Sequence, residues 1–178
     1  DKDFNMENIL NSICPTANVI AIPEHKLGPV HAVMEAMDNF DEDEETIVNY
    51  CDFTCYWDYK HFKEFVEKNN CDGAIPSYKG FHPHTLWNNN YAYLKEKEFQ
   101  VLDIQEKKPF TDDPQSEFAS SGTYYYRSGK IMQDYFYRCI QEELMVGNEY
   151  YVSMPYKPMI QDGMNVLVYE LNYFMQWG

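Results

Sequence analysis

The alternation between residues 46 and 78 constrains the fold more than any other feature of this chain. A short apolar run, Thr46–Cys51, ends at Asp52; helical spacing follows over about Tyr59–Lys68, and a second apolar run covers Gly73–Tyr78. Strand, helix, strand in that order predicts a sheet with parallel neighbours, because parallel strands need a crossover connection long enough to bring the chain back to the same end. Upstream, Asn5–Ile13 reads as a short helix and Ala17–Ile22 as a buried strand closed by Pro23. Gly28 and Pro29 open a helix that carries Val30, Val33, Met34 and Met37 at helical spacing. In the middle third, Tyr91–Leu94, Phe99–Gln105 and Phe118–Tyr126 look like strands with polar connections, which predicts an antiparallel insertion over one end of the sheet. Helical patterning returns over Gly129–Met145 and Glu149–Ile160, and Asn165–Glu170 reads as a last strand. No repeat or linker is visible, so one α/β domain over residues 1–178 is the economical reading.

The formal net charge of -15 opposes nucleic-acid binding through a basic face. A small phosphorylated substrate remains compatible with that charge if lysines gather locally or a divalent cation screens the phosphates. No apolar run approaches membrane-spanning length, and no signal peptide is evident. The odd set Cys14, Cys51, Cys55, Cys71 and Cys139 has no second Cys/His pair at zinc spacing, and it reads as reduced, mostly buried thiols of a cytoplasmic protein. The 16 tyrosines suit either a core or a polar cleft that stacks sugars or bases.

Several residues have the chemistry for a site. Asp52 follows an apolar strand, where ligands bind in open α/β sheets, and one carboxylate there suits a magnesium ion; a helix N-cap is the alternative. Glu106 and Lys107 lie just past a strand, as a hydroxyl acceptor and a phosphate partner or as a charged hairpin turn. The segment Ser120–Thr123 places Gly122 inside an aromatic strand, marking either a close approach or a bulge. Lys79 and Gly80 precede His82 and His84, whose spacing lacks a third zinc ligand; loop packing or substrate contact is the better reading, and a general acid/base pair the weaker one. Asp41-Glu42-Asp43 matches a D-x-D pattern but precedes its strand, so it reads as a solvated acidic turn. No G-x-S-x-G elbow is present, and no cysteine has a setting that clearly lowers its pKa.

Five segments in order carry a resemblance: Glu24–Val33 (EHKLGPVHAV), Val48–Asp52 (VNYCD), Gln105–Pro109 (QEKKP), Ser121–Tyr125 (SGTYY) and Phe174–Gly178 (FMQWG). In this order the chain resembles the sugar-phosphate nucleotidyltransferases, the pyrophosphorylases that make nucleotide sugars, and in particular the branch found in capsule and lipopolysaccharide clusters. The resemblance implies a three-layer, Rossmann-like mixed sheet with a small antiparallel β insertion. It implies that Gly28, with Glu24 and His31, borders the base, and that Asp52 holds magnesium. Glu106 and Lys107 would meet the sugar hydroxyls and acceptor phosphate, Gly122 and Thr123 would lie beneath the sugar, Glu149 would add a sugar contact, and Lys79 and Gly80 would set acceptor selectivity. The implied partners are a nucleoside triphosphate and a phosphorylated sugar-like acceptor, and the resemblance admits a homo-oligomer. The family's glycine-rich loop is not found after Asp1, so the chain reads as cut at its N-terminus and at its strand-like end, with the triphosphate grip lost. Gln176 stands where many members carry a second magnesium aspartate, a weaker neutral ligand. A glycosyltransferase of related architecture and a non-catalytic fragment that keeps only the acceptor pocket are the competing readings.

Overall fold

Helices lie on both faces of a seven-stranded sheet, and the two-residue alternation of its strands shows why. The computed structural model describes residues 4–82 and 89–176; His84, Trp177, Gly178 and the side chain of Gln176, all named above, lie outside the described residues. The strands are β1 (Thr46–Asn49), β2 (Phe53–Tyr56), β3 (Gly73–Tyr78), β4 (Ala92–Lys97), β5 (Gln100–Glu106), β6 (Phe118–Ser120), β7 (Thr123–Tyr126), β8 (Val166–Glu170) and β9 (Tyr173–Gln176). The helices are α1 (Met6–Ile13), α2 (Pro29–Met34), α3 (Tyr59–Lys68), α4 (Gly129–Gln141) and α5 (Tyr156–Gln161). Along β3, Ile75 joins a core shared with α2, α4 and α5, whereas its neighbour Ala74 joins a second core beneath α3. Tyr124 and Tyr126 of β7 face the first core and Tyr125 the second. This alternation makes three layers, since successive side chains point to opposite faces.

The helices begin where their caps allow. The Asp58 carboxylate accepts from the His61 N–H to start α3, and the Ser128 hydroxyl accepts from the Ile131 N–H to start α4. Phe62 and Val66 on α3, and Met132, Phe136 and Cys139 on α4, are buried one helical turn apart. Each such large apolar side chain contributes roughly 1.5–3 kcal/mol through burial.

β3 pairs in parallel with β8 along Gly73–Ser77. On its other side it meets β7 at Gly73 and Ala74 and β6 at Ser77 and Tyr78, both antiparallel. Residues 118–126 therefore form one strand broken at Ser121 and Gly122, and their outer partner changes at the break from β4 to β1. Pro76 stands at the same step, where its carbonyl accepts from both the backbone N–H and the hydroxyl of Ser121. The missing proline N–H thus falls where the ladder is already interrupted.

The structure corrects five expectations, and the first is helical: the helix read over Glu149–Ile160 forms only at Tyr156–Gln161. β1 is not the parallel neighbour of β3: it runs antiparallel to β7, and β8 is the parallel partner. A small antiparallel sheet exists, but it is the pair β2–β9, while the middle-third strands belong to the main sheet. The segment Ala17–Ile22 forms no strand and is largely exposed, because an apolar run gains a ladder only if a sheet edge is there to receive it. The thiols are not mostly buried: Cys71 and Cys139 are, Cys55 is half-buried, and Cys14 and Cys51 are exposed. Among the described residues, no helix is long and apolar enough to cross a membrane.

Candidate functional site

The parting of β1 from β4 above Gly122 opens a cavity of about 250 Å³. Its walls are Tyr50 and Asp52 beyond β1, Asn90, Tyr91 and Ala92 at the start of β4, Glu106 and Lys107 at the end of β5, Ser121, Gly122 and Tyr124 at the broken strand, and Tyr151. Four residues marked in the sequence, Asp52, Glu106, Lys107 and Gly122, thus meet in one place.

Gly122 has φ +93°, and a Cβ there would stand 3.1 Å from the Phe53 ring and 3.2 Å from the Tyr50 ring. The glycine stands at the break in the strand, with no Cβ to hold the Phe53 and Tyr50 rings away. Its carbonyl accepts from the Tyr50 N–H at 3.0 Å, and the Thr123 hydroxyl donates to Asn49 Oδ1 at 2.6 Å. Thr123 does not line the cavity; it ties β7 to β1 and so fixes the turn that carries Asp52.

Glu106 is buried and accepts from the Ser153 hydroxyl at 2.6 Å. Burial pushes its carboxyl pKa up, and the Ser153 bond and the neighbouring Lys107 offset only part of this. A carboxyl raised in the folded state ionises more readily when unfolded, so its linkage lowers stability as pH rises from the unfolded toward the folded pKa. Glu106→Gln is therefore expected to flatten the acid-range pH dependence of stability and to raise the unfolding midpoint at neutral pH; thermal melts from pH 4 to 8 check this.

Lys107 has a left-handed backbone, φ +57°, and its N–H donates to the Tyr91 carbonyl. Its ammonium donates to the Tyr151 hydroxyl, which in turn donates to Glu149. Glu149 thus reaches the site through Tyr151 without lining it. The Tyr151 bond is the first cause raising the Lys107 pKa, so the ammonium stays charged. Burial raises the phenols of Tyr50, Tyr91 and Tyr124, which keeps them protonated as donors. Lys107 is the one cation among the described lining residues, set against Asp52 and Glu106.

The remaining candidates lie elsewhere. Gly28 packs on the backbone of Tyr150 and the Cβ of Glu149, and two bonds staple its loop there, Tyr150 N–H to Leu27 carbonyl and Val30 N–H to Tyr150 carbonyl. Glu24 is exposed, and neither it nor His31 lines the cavity. His31 Nε2 lies 3.8 Å from Glu35, and its buried Nδ1 has no partner among the described residues. Lys79 lines a separate cavity of about 440 Å³, 3.6 Å from Glu96 and 3.8 Å above the Phe118 ring, and the Gly80 N–H donates to the Gln115 carbonyl. His82 packs against Tyr78 and Phe174, and burial lowers its pKa. The sequence reading missed Tyr50, Asn90, Tyr91, Tyr124, Tyr151 and Ser153; the high tyrosine content was the only available hint.

No protein-family model and no curated protein matches the chain. Solved structures do. A nucleoside-diphosphate-sugar pyrophosphorylase from Vibrio cholerae RC9 superposes with a TM-score of 0.73 at 15% identity, over 99% of this chain and 72% of that one. A UDP-glucose pyrophosphorylase solved with UDP-glucose gives a TM-score of 0.70 at 17% identity, over 96% of this chain and 65% of that one. The fold is that of the nucleotide-sugar pyrophosphorylases. At this identity the likeness fixes the pyrophosphorylase fold and leaves the chemistry to the site itself.

As for a metal, no group of three or more His, Cys, Asp or Glu side chains is placed to hold an ion among the described residues. A magnesium ion typically takes one or two carboxylates and completes its shell with substrate phosphates and water, and the exposed carboxylate of Asp52 at the cavity would fit such a donor set.

Proposed function

We propose that the cavity over Gly122 is the acceptor side of a magnesium-dependent nucleotidyl transfer site, which joins a nucleoside triphosphate to a sugar phosphate and releases pyrophosphate. The observation that carries this reading is the convergence of Asp52, Glu106, Lys107 and Gly122 on one cavity from three separate parts of the chain. The fold agrees, since one similar structure was solved with UDP-glucose. The chain spans 65% of that protein's length and 72% of the Vibrio protein's, so the whole activity belongs to this proposal.

In this reading an acceptor phosphate oxygen attacks the α-phosphorus of the triphosphate. A new P–O bond forms as the bond from the α-phosphorus to the bridging oxygen breaks, and pyrophosphate leaves. Bound at Asp52, the magnesium ion would supply charge neutralisation for the phosphates. Lys107 orients the acceptor phosphate, Glu106 accepts from sugar hydroxyls, and protonated Tyr50, Tyr91 and Tyr124 offer donors to the ring. The protein supplies alignment and charge and no nucleophile of its own. Gly28, Glu24 and His31 on the base, and Lys79 and Gly80 on acceptor choice, remain extensions of the same proposal.

The test is pyrophosphate release by the purified intact-length protein across a panel of nucleoside triphosphates and sugar 1-phosphates. Release is expected only with both substrates and magnesium present, and chelation should remove it. Transfer from a finished nucleotide sugar with no pyrophosphate formed would instead establish a glycosyltransferase. Acceptor binding with no binding of magnesium triphosphate would show a non-catalytic pocket.

A further inference from the structure

We propose that Tyr151 is a positioning residue that keeps the Lys107 ammonium separated from Glu149 and turned toward the acceptor phosphate; this rests on the nucleotidyl-transfer reading of the cavity. Lys107 follows the buried Glu106 at the end of β5, and its left-handed backbone and N–H bond to the Tyr91 carbonyl fix where its side chain starts. At the far end the ammonium donates to the phenol oxygen of Tyr151 and lies 4.3 Å from the centre of that ring. The phenol O–H in turn donates a hydrogen bond to Glu149. A neutral hydroxyl therefore stands between a cation and a carboxylate.

The arrangement matters because of what it prevents. An ammonium has three N–H donors, and a direct carboxylate pair would both occupy one and cancel the charge that an incoming phosphate needs. The phenol takes one N–H, its ring face attracts the cation, and two N–H directions with the full charge remain for a ligand. Tyr151 itself lines the cavity, so this bond lies beside the space the acceptor would fill. Glu149, the sequence-marked sugar contact, acquires a role through the phenol: it orients the hydroxyl so that its lone pairs face Lys107.

Tyr151→Phe keeps the ring and its packing and removes only the hydroxyl. The KM for the sugar 1-phosphate is expected to rise about tenfold, as befits loss of a hydrogen bond to a charged group. The KM for the triphosphate and the unfolding midpoint should stay put. Lys107→Met should raise the acceptor KM further, and adding Tyr151→Phe to it should change nothing more, since the phenol acts through the lysine. Additive losses would overturn the positioning role and show that Tyr151 touches substrate directly. Independently of turnover, NMR of the protein with 13C-methylated lysines reads the Lys107 titration. It should move up in pH in Tyr151→Phe as the ammonium closes on Glu149, and an unmoved or lowered titration would refute the separation. If the unaltered protein releases no pyrophosphate while the Lys107 titration still moves up, the function reading fails and the separation stands.

Discussion

Asp52→Asn is expected to cut magnesium-dependent pyrophosphate release by about 100-fold or more, the scale on which removing a dedicated electrostatic contact slows transfer. The amide keeps the size of the carboxylate and loses its charge. Two polyanionic substrates would then meet in a cavity whose described lining holds a single cation, Lys107. Stability should hardly change, because the Asp52 side chain is exposed at the turn after β1. Release measured against magnesium concentration decides the matter. Undiminished release would remove the metal role from Asp52, whereas partial recovery at high magnesium is the signature of a weakened ion site.

Gly28→Ala should damage the fold instead. The backbone at Gly28 has φ +87°, and a Cβ there would lie 2.8 Å from both the N and the O of Tyr150 and 3.0 Å from the Glu149 Cβ. Backbone cannot move aside as a flexible side chain can, so strain and overlap together are expected to cost about 2–4 kcal/mol. For a chain of 178 residues that lowers the unfolding midpoint by roughly 4–16 °C. Gly80→Ala is the control: φ is +97° there, but nothing lies within 4 Å of the added methyl, so only the backbone term applies. Near-equal losses for the two would show that the Gly28 contact contributes little. The loss at Gly28 should also reach the acceptor side, because its loop is stapled to Tyr150, one residue from Tyr151.

Local order along the chain was legible where one element decides its own form. The helix over Tyr59–Lys68 and the strand over Gly73–Tyr78 formed with the boundaries read from pattern, since apolar periodicity and the Asp58 cap act within a few residues. The run Ala17–Ile22 has equally strand-like composition and forms none, because pairing needs a neighbour that composition cannot supply. The same limit hid β2: Phe53–Tyr56 becomes a strand through β9, more than a hundred residues away in the chain.

The site divides in the same way. The sequence by itself offered the charged set, Asp52, Glu106 and Lys107, and a glycine at 122 that marks either a close approach or a bulge, because charge and a missing Cβ are properties of single residues. Only the tertiary structure decided that these four share a cavity while Lys79 and His31 do not. It alone added the tyrosines, which carry no positional signal until the parting of β1 from β4 brings them to the wall of one cavity. Hydrogen bonds such as those of Ser153 with Glu106 and of Tyr151 with Lys107 join residues more than forty positions apart. Their geometry exists only after the sheet has closed around Gly122, which is why the charges were readable in advance and their arrangement was not.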